Sequence, residues 1–119
     1  MTNEEAVLRF EDEFKNKANL DVVGEAMTQD FIHHLPYPGV PPGPAGMKAI
    51  GTFFFGALSD VHVTVDLTVS QGDLVADRLS AYGTRKDTGR RVDWVENHIY
   101  RLSDGRIAEL WPAGGPDLT

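Results

Sequence analysis

Between residues 61 and 69 the chain alternates strictly: Val61, Val63, Val65, Leu67 and Val69 are apolar, and His62, Thr64, Asp66 and Thr68 between them are polar. A period of two marks a strand with one buried face, so the chain must build a sheet and cover one side of it. Turn signals then divide the rest of this half. Gln71-Gly72-Asp73, Asp87 to Gly89 and Ser103-Asp104-Gly105 separate residues 74–84, 91–102 and 106–111, each patterned as a strand. Four strands joined by such short turns predict an antiparallel meander.

The first half supplies the cover. Thr2 and Glu5 have capping-box spacing, and Val7, Phe10 and Phe14 follow at helical intervals, which predicts an amphipathic helix over residues 3–17. Asn19 is placed to cap a short second helix carrying Leu20, Val23 and Met27, and residues 31–35 read as a brief strand. Pro36, Pro38, Gly39, Pro41, Pro42, Gly43, Pro44 and Gly46 exclude regular structure and predict a stiff loop at a pocket rim. Met47, Ile50, Phe54 and Leu58 form the stripe of a third helix, widened by Phe53 and Ala57. Helices segregated from a meander define an α+β fold, three helices packed on the concave face of a curved antiparallel sheet. With 119 residues and no repeat, residues 1–119 read as a single domain.

Charge narrows the function classes. Asp and Glu outnumber Lys and Arg by 18 to 11, and the net charge of −7 disfavours nucleic acid and anionic membranes as partners. The acidic start, with Glu4, Glu5, Glu11 and Asp12, is unlike a signal peptide, and the expected location is cytoplasmic. Without cysteine the chemistry falls to His, carboxylates and hydroxyls.

The richest set of such groups lies on one strand face. Val92, Trp94, Glu96, His98 and Tyr100 share a side of the third long strand, and a tight turn at Ser103 to Arg106 would set His98 opposite Trp111 and Tyr100 near Glu109. Aromatic walls around a His and carboxylates suit a planar ligand and proton transfer. His33 and His34 are adjacent on an extended segment, so only one faces inward and they do not chelate. Nothing has metal-ligand spacing such as H-E-x-x-H, and no Gly-rich loop has the Lys of a phosphate-binding motif. No metal or other cofactor is expected.

Taken in order, these segments resemble the SnoaL-like polyketide cyclases of the nuclear-transport-factor-like superfamily. Residues 31–46 resemble that family's His-Pro-Gly-rich loop, with His34 and Pro36 in the expected places; Gln71-Gly72-Asp73 with Arg78 resembles its "GD…R" strand; and Asp104-Gly105-Arg106-Ile107-Ala108-Glu109-Leu110-Trp111 completes the pattern. The resemblance implies a cone-shaped α+β barrel around a central pocket, a homodimer through the outer sheet face, a small hydrophobic polyketide-like ligand, and a cofactor-independent intramolecular aldol cyclase or isomerase. Apolar residues taken to lie on that outer face include Val75, Leu79, Val95 and Ile99. The family's catalytic Asp follows the terminal Trp, where this chain has Pro112-Ala113-Gly114-Gly115, and its histidine after Gly-Thr is Arg85 here. His98 and Glu96 are therefore the catalytic candidates, with His34, Phe54, Arg78, Tyr82, Trp94 and Trp111 as substrate-binding candidates. The alternatives are a noncatalytic binding or accessory protein that has lost the base, and an epoxide-hydrolase-like enzyme.

Overall fold

The computed structural model describes residues 1–35 and 38–119. Pro36, expected in the rim loop, lies outside the described residues. Thr2 caps helix α1 (Asn3–Glu11) with the full reciprocal box, its hydroxyl accepting from the Glu5 backbone while Glu5 reaches back. The helix then widens into a π-turn (Asp12–Asn16) in which the Lys17 N–H bonds the Asp12 carbonyl at 3.1 Å. An inserted π-turn shifts the side chains around it, and here Phe14 and Lys15 are both buried.

Three boundaries differ from expectation. Helix α2 (Val22–Ala26) starts after Asp21, and Asn19 bonds Glu13 instead of capping it. Met27 leaves the helix and opens strand β1 (Met27–His33), which is longer than predicted and runs parallel to β5 at the sheet edge. Helix α3 (Pro44–Ala57) takes Pro44 at its first turn, where a missing N–H costs nothing, and releases Leu58 to β2.

The remaining strands are β2 (Leu58–Gln71), β3 (Leu74–Arg85), β4 (Arg91–Ser103) and β5 (Arg106–Gly114), in the sheet order β1-β5-β4-β3-β2. This is the expected α+β fold: a curved, mixed five-stranded sheet with the antiparallel meander at its centre and the helices on its concave side. The sheet stays open between β1 and β2. Among the described residues, no helix is long and apolar enough to cross a membrane.

Two of the sheet's bulges reverse faces that the alternation predicted. Val65 pairs with Leu79 but Leu67 with Arg78, so Asp66 is an extra residue and the alternation of β2 reverses beyond it. Leu67 and Val69, expected inward, turn out to solvent, while the hydroxyl of Thr68 reaches Glu4. In the β4–β5 hairpin, Leu102 pairs with Ile107 but Arg101 with Glu109, leaving Ala108 extra. That slip sets Pro112 opposite His98 and moves Trp111 opposite Ile99, so Trp111 stands on the outer face. Tyr100 likewise pairs with Leu110 rather than lying near Glu109.

The core fills the space between helices and sheet. Val7, Phe10, Phe14, Met27 and Phe31 pack on Val75, Tyr100, Leu102, Ile107 and Leu110, and a second cluster joins Leu58, Val63, Leu79, Ala81 and Trp94. Val75 and Leu79, taken above for outer-face residues, are fully buried because odd-numbered residues of β3 point inward. Phe54 brings α3 onto Trp94 edge-to-face, with ring centroids 5.9 Å apart. Gly51 allows α3 to close on the π-turn and on Leu20: a Cβ there would come within 2.7 Å of both Phe14 and Leu20.

Candidate functional site

Helix α1 and the π-turn that follows it lay two ionisable residues, Glu11 and Lys15, on the same buried stripe as their apolar side chains. Opposite them β4 presents Trp94, Glu96, His98 and Tyr100 inward, and β3 presents Asp77, the cross-strand partner of His98. The result is a buried polar chain. Lys15 Nζ donates to Glu96 Oε1 at 2.7 Å, and the Trp94 indole N–H donates to Glu96 Oε2 at 2.7 Å. His98 Nε2 meets Glu96 Oε1 at 2.9 Å, and Nδ1 meets Asp77 Oδ1 at 2.7 Å. Tyr100 OH donates to Glu11 Oε1, and Glu11 Oε2 lies 3.2 Å from Lys15 Nζ in an ion pair without hydrogen-bond geometry.

These contacts fix the charges. Burial opposes a charge on His98, and so does nearby Lys15, but the bonds to Asp77 and Glu96 outweigh both and raise its pKa to about 9. Burial alone would raise Glu96, yet Lys15 and His98 hold its carboxylate far below the ordinary range. Burial also opposes charge on Lys15, but Glu11 and Glu96 push its pKa above the usual lysine value. Glu11 goes the other way, pushed up mainly by burial and further by Asp77 and Glu96, against the pull of Lys15 and His98.

The chain forms the polar end of a cavity of about 200 Å³. Phe10, Phe14, Met47, Ile50, Phe54 and Leu110 supply apolar walls, while Glu11, Lys15, Glu96, His98 and Tyr100 supply the polar end. Pro112, Gly114 and Gly115 of β5 and its exit, with Pro116, His33 and Leu35, add to the lining. Gly114 is required there: its φ is +87°, and a Cβ would lie 2.3 Å from the Val95 carbonyl oxygen. A mostly apolar concavity with a few convergent polar groups is the form of a small-molecule site.

The sequence-derived candidates divide between the two sheet faces. Phe54, Glu96 and His98 line the cavity, and Trp94 stands behind Glu96. His34, Arg78, Tyr82 and Trp111 do not reach it. His34 stacks flat on Trp111 on the outer face, centroids 4.6 Å apart, and meets Glu109 at 2.6 Å; His33 is the one that turns inward to the cavity. Arg78 is engaged by Asp66, and Tyr82 lies beneath the Arg91 guanidinium, 4.2 Å from the ring centroid. Even-numbered residues of β3 point outward, which removes Arg78 and Tyr82 from the pocket, and the Ala108 bulge removes Trp111.

Reading the sequence missed Glu11, Lys15 and Asp77. Each carried a signal. Glu11 and Lys15 are four apart and fall on the helical stripe of Val7, Phe10 and Phe14, and Asp77 has the same strand parity as Val75 and Leu79.

Glu11, Asp77 and His98 each bring one candidate metal-ligand atom within 4.8 Å of the others. The donor set does not fit a metal ion: both His98 nitrogens are bound to carboxylates, and the Lys15 ammonium already supplies a cation beside Glu11.

The family description SnoaL-like polyketide cyclase matches residues 5–114 of the sequence. Among curated proteins, no sequence matches the chain. Solved structures do. IdmH from Streptomyces antibioticus, to which a polyketide cyclase role is ascribed, superposes with a TM-score of 0.84 at 28% identity, covering 96% of this chain and 92% of its own. A SnoaL-like polyketide cyclase from Agrobacterium tumefaciens has a TM-score of 0.81 at 23% identity, covering 97% and 92%. AclR from Streptomyces galilaeus, to which a hydroxylase role is ascribed, has a TM-score of 0.81 at 21% identity, covering 98% and 80%. The last two likenesses speak for the fold alone, and the ascribed roles differ on one scaffold.

Proposed function

Because the chain belongs to the SnoaL-like polyketide cyclase family, we propose that its cavity binds a hydrophobic, polyketide-like molecule and closes or isomerises a ring in it without a cofactor. One observation carries the reading: a buried chain of opposite charges, Asp77–His98–Glu96–Lys15, stands at the polar end of an otherwise apolar cavity.

The geometry suggests the division of labour. A C–H flanked by two carbonyls gives its proton to ionised Glu96, and its electron pair moves into an enolate whose oxygen faces the Lys15 and His98 cations. The enolate carbon then attacks a second carbonyl of the same molecule, a C–C bond forms, and the new alkoxide takes a proton from His98. Transfer from Glu96 back to His98, across their 2.9 Å contact, restores both groups. Glu96 is a weak base because three donors hold it ionised. The rate therefore rests on fixed positive charge at the developing oxyanion and on the apolar walls that hold the chain folded. Asp77 acts through His98 and is a positioning residue.

A second reading is favoured by Pro112, which occupies the β5 position facing His98 and carries no titratable group. It makes the protein a noncatalytic binder of the same class of molecule. Incubation with a linear aromatic compound bearing a 1,3-dicarbonyl group, followed by proton NMR, separates the two. Cyclised product, lost about a hundredfold or more in Glu96→Gln and His98→Gln, supports the enzyme. Saturable binding with no product leaves the binder.

The outer sheet face belongs to the same proposal. Leu67, Val95, Ile99 and Trp111 are exposed there, and a second copy of the chain seated on them would remove that apolar surface from water.

A further inference from the structure

Glu11 is as deeply buried as any core residue, with 1% of its side chain exposed, yet it sits among charges that do not balance. Three carboxylates, Glu11, Asp77 and Glu96, share the interior with two cations, Lys15 and His98. An uncompensated buried charge is costly, so one carboxylate is under pressure to keep a proton.

The contacts identify which one. Glu96 accepts from Lys15, His98 and Trp94 and has no oxygen left over. Asp77 binds His98 through Oδ1, and although its Oδ2 is also buried without a hydrogen-bond partner, the residue does not line the cavity. Glu11 accepts from Tyr100 through Oε1 only, and its buried Oε2, 3.2 Å from Lys15 Nζ, has no hydrogen-bond partner, in a residue that lines the cavity. An orphaned buried oxygen at a cavity wall is explained if it carries a hydroxyl whose acceptor is the bound molecule.

We propose that Glu11 is held as a neutral carboxylic acid and that its Oε2 hydroxyl donates a hydrogen bond to an oxygen of the molecule in the cavity, a role that rests on the cavity taking a carbonyl compound. The ligand class is then one with a carbonyl oxygen that gains negative charge, so that Glu11 and Lys15 meet the same oxyanion. Burial raises the Glu11 pKa in the direction this requires. The groups facing Glu11 are Lys15 on its own helix, Tyr100, His98 and Glu96 from β4 and Asp77 from β3. Their two negative and two positive charges cancel once Glu11 is neutral.

Carbon-13 NMR of protein labelled at glutamate carboxyls tests the protonation state, with Glu11→Gln identifying the signal. The expected result at pH 7 is one glutamate at the protonated-acid position, missing from that variant; a Glu11 signal at the carboxylate position overturns the proposal. The donor role is read by titrating 1-phenylbutane-1,3-dione into the full chain. Glu11→Leu should weaken binding by at least about tenfold, and Glu11→Gln, which keeps an N–H donor, by less. Equal binding by the wild type and Glu11→Leu overturns the donor role. If the wild type does not bind the dione while Glu11 is seen to be protonated, the carbonyl-binding reading fails and the donor role with it, but the neutral acid stands.

Discussion

His98 on β4 and Asp77 on β3 are register partners across the sheet, and their side chains meet at 2.7 Å with both residues buried. The aspartate supports the imidazolium against burial. Asp77→Asn should therefore lower the His98 pKa from about 9 toward or below its ordinary 6.5, as followed by the ring proton shifts in NMR. An unchanged His98 titration would mean that Glu96 alone holds the charge.

Stability should fall in alkali. His98 has a folded pKa of about 9, above its ordinary 6.5, so its contribution is complete below about pH 6.5 and is lost as pH rises through about 9. Glu11, also raised, changes stability in the same direction. On the order of 3 kcal/mol is at stake for His98, and urea midpoints between pH 6.5 and 10 should decline accordingly. A flat profile over that range would contradict the assigned charge.

Lys15 is the cation that joins the helix to the sheet. Lys15→Met keeps the apolar stem but leaves the buried Glu96 carboxylate without its ammonium partner, and should cost about 3–5 kcal/mol in denaturant unfolding. The double variant Lys15→Met with Glu96→Leu should recover part of that loss, because no unpaired Glu96 charge then stays buried. Failure to recover any would show that packing, not charge, sets the Lys15 effect.

How much of this was legible beforehand depended on whether local pattern decided the outcome. The Thr2–Glu5 capping box and the turns at Gly72 and Gly105 are local and appear as expected, and so does the Met47, Ile50 and Phe54 part of the α3 stripe, although Leu58 passes to β2 and Phe53 is exposed. Strand β1 was harder, because its partner is β5, some eighty residues away, and pairing rather than composition pulls Met27 out of the helix. The bulges at Asp66 and Ala108 leave no period of their own, yet each moves every later side chain to the other face. Trp111 was misplaced for this reason. His98 and Glu96 were placed inward correctly because β4 carries no extra residue and its alternation holds from Trp94 to Leu102. Glu11, Lys15 and Asp77 were overlooked because a charged residue on an apolar stripe is normally wet, and only their contacts with one another and with Glu96, His98 and Tyr100 keep these dry.

The outer face gives a separate expectation. If a second copy covers Val95, Ile99 and Trp111, sedimentation at micromolar concentration should show a dimer, and Ile99→Lys should shift it to monomer without lowering thermal stability of the fold by more than the loss of the interface. A wild-type monomer under those conditions would remove the dimer from the account.

The chain's two tryptophans stand on opposite sheet faces, which makes the central claim directly measurable. The Trp94 indole N–H is tied to Glu96 at the polar end of the cavity, whereas Trp111 lies against His34 on the outer surface. In nitrogen-15 NMR each gives one indole signal, assigned by single substitution to Phe. Titration with 1-phenylbutane-1,3-dione should move the Trp94 signal saturably and leave that of Trp111 in place. A saturable shift of Trp111 with Trp94 unmoved would put the binding site on the outer face and contradict the assignment of the cavity.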